Sequence, residues 1–190
     1  MLKVIAMIMK KVLFRVLFLI PFLALLVAFF VAVMNSSEKL ASTEPSFLEE
    51  GLFQVRLFRS GEVIFERFLP FDSLVTLHYI HSVTKRPVEE DYGVRVDGRI
   101  CLLEMRFDDF GANLPVGPEV TATERTIFLV EDDHYKVIYP NRCFERVPLR
   151  IGQVIADHRL LFEDGQTLRL LDLAPGGSYV EFYFHPFPSY

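Results

Sequence analysis

The chain has no acidic residue before Glu38, and its only charges up to that point are Lys3, Lys10, Lys11 and Arg15. Residues Val16 to Met34, a run of 19, contain no charged or strongly polar side chain. A helix of that length crosses a hydrocarbon core of about 30 Å. Pro21 inside the run is tolerated near a helix end or as a kink. Basic flanks stay on the cytoplasmic side. The reading is therefore a cytoplasmic flank over 1–15, a single-pass anchor over 16–34 in the cytoplasmic (inner) membrane, and everything after about Ser36 in the periplasm or outside the cell. The run lacks a small-x-small ending, closing instead on Ala32-Val33-Met34-Asn35. It is also longer than the roughly 7–15 apolar residues of a secretory signal, which favours an uncleaved anchor. The absence of cysteine near residue 35 argues against a lipoprotein anchor.

Positive charge is scarce beyond the flank. Four of the 20 Lys+Arg lie in it, leaving 16 against 25 Asp+Glu, near −9 for the exported part. Nucleic-acid binders need a basic face, so that class is excluded. A second, electrostatic attachment to anionic lipid is disfavoured for the same reason. Cysteine is limited to Cys101 and Cys143. In an oxidising compartment the two can form a disulfide. As separate thiols they would pack as small hydrophobes, and the interior strand position of Cys101 favours that alternative. No zinc-type cluster, phosphate loop, dinucleotide fingerprint or nucleophile elbow occurs. The expectation is a protein without cofactor or metal and not an enzyme.

What is present after residue 50 is β-rich. Residues 35–50 (NSSEKLASTEPSFLEE) read as a linker with a flexible reach of roughly 20–25 Å. From there to residue 190 short apolar runs alternate with turn signals. Ser60-Gly61, Asp97-Gly98, Asp132-Asp133 and Asp164-Gly165 each separate two such runs, and Asp-Gly suits a type I′ hairpin turn. SYVEFYFHP is a candidate closing strand. No long apolar repeat at helical spacing follows residue 50. The fold class is therefore all-β: an antiparallel β-sandwich or a partly closed barrel built from hairpins.

The middle of the domain carries a register argument. If LVTLHYIHSV and VEEDYGVRV pair around Thr84–Pro87, Val83 meets Val88 and His81 meets Glu90. Tyr79 then meets Tyr92, Leu77 meets Val94 and Val75 meets Val96. Continuing through a two-residue Asp97-Gly98 loop pairs Glu90 with Met105, Tyr92 with Leu103 and Val94 with Cys101. One face of three strands is then apolar except for His81 and Glu90. A one-residue slip would destroy that segregation. A buried carboxylate needs a partner, and His81 is the expected one for Glu90. The pair serves either as a structural seal or as part of a ligand or metal site at the rim, with Ser82, Lys85, Arg86 and Glu89 from the loop. His78 and His81, three apart, would point to opposite faces of a strand. Phe110 to Pro118 holds two glycines and two prolines, so it is a tight crossover loop or a close-approach surface, with Gly111, Asn113 and Pro115 as candidate contacts. His134, His158 and His185 read as surface or packing residues.

Tyr79-Ile80-His81-Ser82-Val83, then Lys85, Pro87 and Glu89-Glu90-Asp91-Tyr92, followed by Phe110-Gly111-Ala112-Asn113-Leu114-Pro115, resemble the bacterial domain of unknown function numbered eighteen-fifty. The pattern covers roughly Phe53 to Leu171 and is specific from Tyr79 to Pro115. Asn113 stands where that family often has glycine, and asparagine tolerates positive φ better than most residues. The resemblance implies a small, membrane-anchored accessory protein of a TAXI-type TRAP solute uptake system. Its partner would be the transporter's membrane subunit or its solute-binding subunit. The alternative is a small-molecule or ion-binding β domain with its site near His81 and Glu90.

Overall fold

The structure is a computed structural model that describes residues 50–187. The predicted flank, the anchor and most of the linker lie outside the described residues. Among the described residues no helix is long and apolar enough to cross a membrane. Glu50, expected as the last linker residue, is already paired in the first strand, opposite Pro70.

Eleven strands follow in order: β1 (Glu50–Leu57), β2 (Val63–Pro70), β3 (Leu74–Ile80), β4 (Pro87–Val94), β5 (Ile100–Phe107), β6 (Ile127–Val130), β7 (Tyr135–Phe144), β8 (Val147–Arg150), β9 (Arg159–Phe162), β10 (Thr167–Arg169) and β11 (Tyr179–Pro186). They form two antiparallel sheets, β2-β1-β11-β8 and β10-β9-β3-β4-β5-β7-β6. Neither closes into a barrel among the described residues, so of the two architectures expected it is the two-sheet one that forms. SYVEFYFHP becomes β11, which lies between β1 and β8 rather than at an edge.

Period-two alternation builds the core between the sheets. Phe53 and Val55 of β1 and Val180, Phe182 and Phe184 of β11 point inward, while Tyr183 and His185 point out. Phe53 touches Phe182 at 5.8 Å within its own sheet and Phe162 of β9 at 6.2 Å across the gap. Burying a phenylalanine this completely contributes about 1.5–3 kcal/mol.

All four turn signals join antiparallel neighbours, β1–β2, β4–β5, β6–β7 and β9–β10. The two Asp-Gly turns are not type I′. In each of them the glycine alone has positive φ, Gly98 at 84° and Gly165 at 83°. The Arg95 N–H bonds the Arg99 carbonyl and the Gly98 N–H bonds the Arg95 carbonyl; Phe162, Gln166 and Gly165 repeat the pattern. These are three-residue loops with glycine in the left-handed position.

That extra loop residue corrects the register after β4. Glu90 faces Met105 as expected, but Tyr92 faces Leu102 and Val94 faces Ile100, with a bulge between. The β3–β4 register is corrected as well. Tyr79 faces Val88, Leu77 faces Glu90 and Val75 faces Tyr92. The difference is an even number of residues, so the faces are as expected and the partners are not. His81 does not face Glu90, because the connection is a six-residue loop instead of a tight turn. In it the His81 N–H bonds the Arg86 carbonyl and the Lys85 N–H bonds the His81 carbonyl. Lys85 takes φ 61°, which lets the chain reverse.

The cysteines are not separate thiols. Cys101 of β5 lies directly opposite Cys143 of β7, and the two form a disulfide. The strand pairing that juxtaposes them spans 42 positions of sequence, beyond the reach of a local pattern.

The two ends of the sandwich differ. One end holds Glu50, the end of β11 and the β4–β5 turn, with Gly98 against Pro186. The opposite end holds the loops 81–86 and 151–158 and the start of the 108–126 connection, whose later part runs back beside β7, where Glu119 and Glu124 hold Arg142. A seven-residue strand separates the ends by roughly 23 Å.

Candidate functional site

At the loop end lies a hollow of about 290 Å³ lined by Tyr79, Ile80, His81, Ser82, Ala112, Asn113, Leu114, Gly152, Ala156 and His158. Three segments that are distant in sequence meet there. His81 ties the first two. Its Nδ1 accepts the N–H groups of Val83 (3.3 Å) and Thr84 (3.2 Å), which organises its own loop. Its Nε2 therefore carries the proton and donates to the Ala112 carbonyl at 3.0 Å. Gly111 is required for this contact, because a Cβ there would meet the His81 ring at 2.5 Å. Asn113 turns the loop with φ 68°. The two stretches singled out in the sequence, around His81 and around Gly111, thus form one unit.

The third segment was not expected to take part. The turn over Gln153–Asp157 is pinned where the Ile80 N–H bonds the Ala156 carbonyl. Asp157 adopts φ 43° and is gripped by Arg169 and Arg159, which hold its carboxyl below the usual carboxylate range. His158 follows and is buried. Its ring packs on Tyr79 at 5.0 Å, and its Nδ1 accepts the Gly152 N–H at 2.8 Å. Gly152 is as tightly fitted as Gly111, since a Cβ would lie 2.3 Å from Ala156 and 2.8 Å from the His158 ring. Burial pushes the His158 imidazole below its ordinary pKa, partly opposed by Asp157. No local spacing signals this role; it depends on β9 pairing with β3, which places Arg159 opposite His78.

Glu90 does have partners, but not His81. Tyr79 donates to it at 3.0 Å and Tyr92 at 2.6 Å. Burial raises the Glu90 pKa, and the two hydroxyl bonds oppose the rise. Burial first and the Glu90 charge second push both tyrosine hydroxyls well above their ordinary range. Glu90 thus sits behind Tyr79, outside the lining of the hollow.

The other expected contributors disperse. Glu89 faces away on the outside of the larger sheet, bound by Arg106 at 3.0 Å; Arg106 also holds Asp91 and Glu104. The Lys85 ammonium donates to the Ser82 carbonyl of its own loop. Arg86 pairs with Asp108. Pro115 is half-buried beyond Leu114 and does not line the hollow. Ser82 and Asn113 stay at the mouth, both exposed. Hence His81, Ser82, Gly111 and Asn113 belong to the site, and Lys85, Arg86, Glu89, Glu90 and Pro115 do not line it.

Each of the loops that meet at the hollow also exposes aliphatic side chains. Val83 is 68% exposed, Val116 78%, Val154 76% and Ile155 58%. A larger hollow of about 390 Å³ lies between Leu57–Ser60 and Gly177–Tyr179, but it contains no buried polar side chain. Among the described residues no group of three or more His, Cys, Asp or Glu could hold a metal ion.

Comparison with known proteins places the chain in a family. The family model described as Domain of unknown function (DUF1850) matches residues 75–169, from β3 through β10. The match spans half of the chain, and the chain belongs to that family. It contains every residue that lines the hollow. No curated protein and no solved structure matches the chain.

Proposed function

From that family membership we propose that the protein is a binding module whose three-loop end docks a partner protein. The observation that carries this reading is the set of four exposed aliphatic side chains on the three loops around one hollow. Exposed apolar side chains clustered on one end of a domain mark interaction sites more often than chance surface exposure. Covering each aliphatic contributes up to about 1.5 kcal/mol. The docking end is opposite Glu50, the first described residue of the sandwich. With an anchor at 16–34, the domain is extracytoplasmic at the cytoplasmic membrane, and tethering raises the effective concentration of a weak partner. Following the family resemblance, the partner is the membrane or solute-binding subunit of a TAXI-type TRAP uptake system, and the protein is its accessory subunit.

The test is a crosslinking pull-down of the tagged full-length chain from native membranes, read by mass spectrometry. Transporter subunits should be recovered with the wild type and lost with Val154→Asp/Ile155→Asp. Recovery of the same proteins with the double variant would refute the docking end. A second reading has the hollow itself for support: its volume lies near the lower end of small-molecule pockets, roughly 300 Å³. On that reading a neutral solute raises Tm by mass action, and the shift disappears in His158→Phe.

A further inference from the structure

His158 and His81 are both buried, both packed on a glycine, and both use Nδ1 as a backbone acceptor. They differ at Nε2. That of His81 has the Ala112 carbonyl, whereas that of His158 has no partner among the described residues. The Gly152 N–H fixes the tautomer, so the free His158 nitrogen carries a proton to donate. It is not sealed in. Among the described residues the wholly enclosed side-chain polar atom without a partner is Oδ1 of Asp108. The His158 nitrogen therefore opens to the surface, and the hollow is what the residue lines.

We infer that the hollow receives an uncharged, apolar peptide segment of the docking partner, with a backbone carbonyl of that segment accepting the Nε2–H of His158. This rests on the docking-end reading and names the chemistry it recognises. A donor in a residue 8% exposed gains most from an acceptor that arrives with its own apolar cover, because leaving it unpaired is costly. No Lys, Arg, Asp or Glu lines the hollow. A charged ligand would lose its hydration with no opposite charge to replace it. Tyr79, Ile80, Leu114 and Ala156 supply apolar wall for one side chain. Ser82 and Asn113 at the mouth can meet the next peptide group. The exposed loop valines and Ile155 extend apolar contact past the hollow, which suits a chain better than a small solute.

The test uses the full-length, tag-free chain in nanodiscs with 15N-labelled histidine, five residues in all. The probes are N-acetyl-leucyl-leucine N-methylamide and, separately, acetate. The blocked peptide should shift the His158 Nε2 resonance and leave His134 and His185 in place, with acetate giving no comparable shift. In the pull-down, His158→Phe should recover about five- to tenfold less partner, as loss of one good hydrogen bond implies. An equal or larger shift with acetate would overturn the inference in favour of an anion site. A silent His158 together with Val154→Asp/Ile155→Asp still abolishing capture would overturn it and leave the docking end standing. Capture indifferent to the Val154→Asp/Ile155→Asp variant would remove both. The titration on wild-type protein keeps the test decisive even if His158→Phe folds poorly.

Discussion

Two histidine–glycine contacts at one end of the sandwich look alike and do different work. In the His81–Gly111 contact every ring nitrogen is satisfied within the domain, so the contact fastens one loop to another. In the His158–Gly152 contact one nitrogen is left over beside a hollow. Burial and a glycine neighbour therefore do not identify a functional histidine. The count of hydrogen bonds left to make does, because a saturated ring has nothing further to offer a ligand.

The largest effect that can be set between the two regions comes from the disulfide. The loop it closes spans 42 positions and includes the Gly111 segment but not residues 152–158. Chain-entropy arguments put the loss in Cys101→Ala/Cys143→Ala at about 4 kcal/mol. Chemical denaturation should register it. Hydrogen exchange should rise at 110–115 more than at 152–158; equal rises would show that the two contacts stand or fall together.

Next come the glycines. Gly111→Val and Gly152→Val should each destabilise by roughly 1–3 kcal/mol, since each added side chain meets a ring with no room to yield. A thermal melt showing either unchanged would remove the close approach from the account.

Removing the rings sharpens the contrast further. His81→Ala strands the Ala112 carbonyl and two loop N–H groups, for a cost of about 1–3 kcal/mol. His158→Phe frees only the Gly152 N–H while keeping the packing on Tyr79, so it should cost less in Tm and more in partner capture. The reverse ordering would exchange the roles assigned to the two residues.

The smallest effects are in pH dependence. The His158 pKa is lowered on folding, so the unfolded chain binds more protons below pH 6.5. The associated stability is present above that value and is lost as pH falls through the window beneath it. Glu90 runs the other way. Its pKa is raised above 4.5, so stability falls as pH rises from there through the raised value. Glu90→Gln should flatten that limb and be no less stable at pH 7, as measured by Tm against pH.

The hydrophobic alternation of β3 and β4 was enough to say which side chains face the core, and that assignment holds in the folded domain. It was not enough to say which residues pair. Alternation repeats every two residues, so any even slip preserves it, and the six-residue loop after Ile80 chose a different even slip from the tight turn expected. Glu90 illustrates the consequence. Its need for a polar partner was legible, but the partners are Tyr79 and Tyr92, not His81. Gly111 and Asn113 were legible as backbone-special positions. His158 was not, because its significance comes from Tyr79 and Gly152, which only the β3–β9 pairing and the loop pinned to Ile80 bring beside it.

The sequence by itself determined the all-β class, the four hairpins, the inward and outward faces and the family, because these depend on short-range periodicity, turn chemistry and a local motif. Tertiary structure alone decided that Cys101 meets Cys143, that Arg86 and Glu89 bond elsewhere, and that three loops far apart in the chain enclose a hollow with one free donor. Those outcomes depend on which strands lie side by side, and strand neighbours are chosen by the packing of the whole core, not by any segment's own pattern.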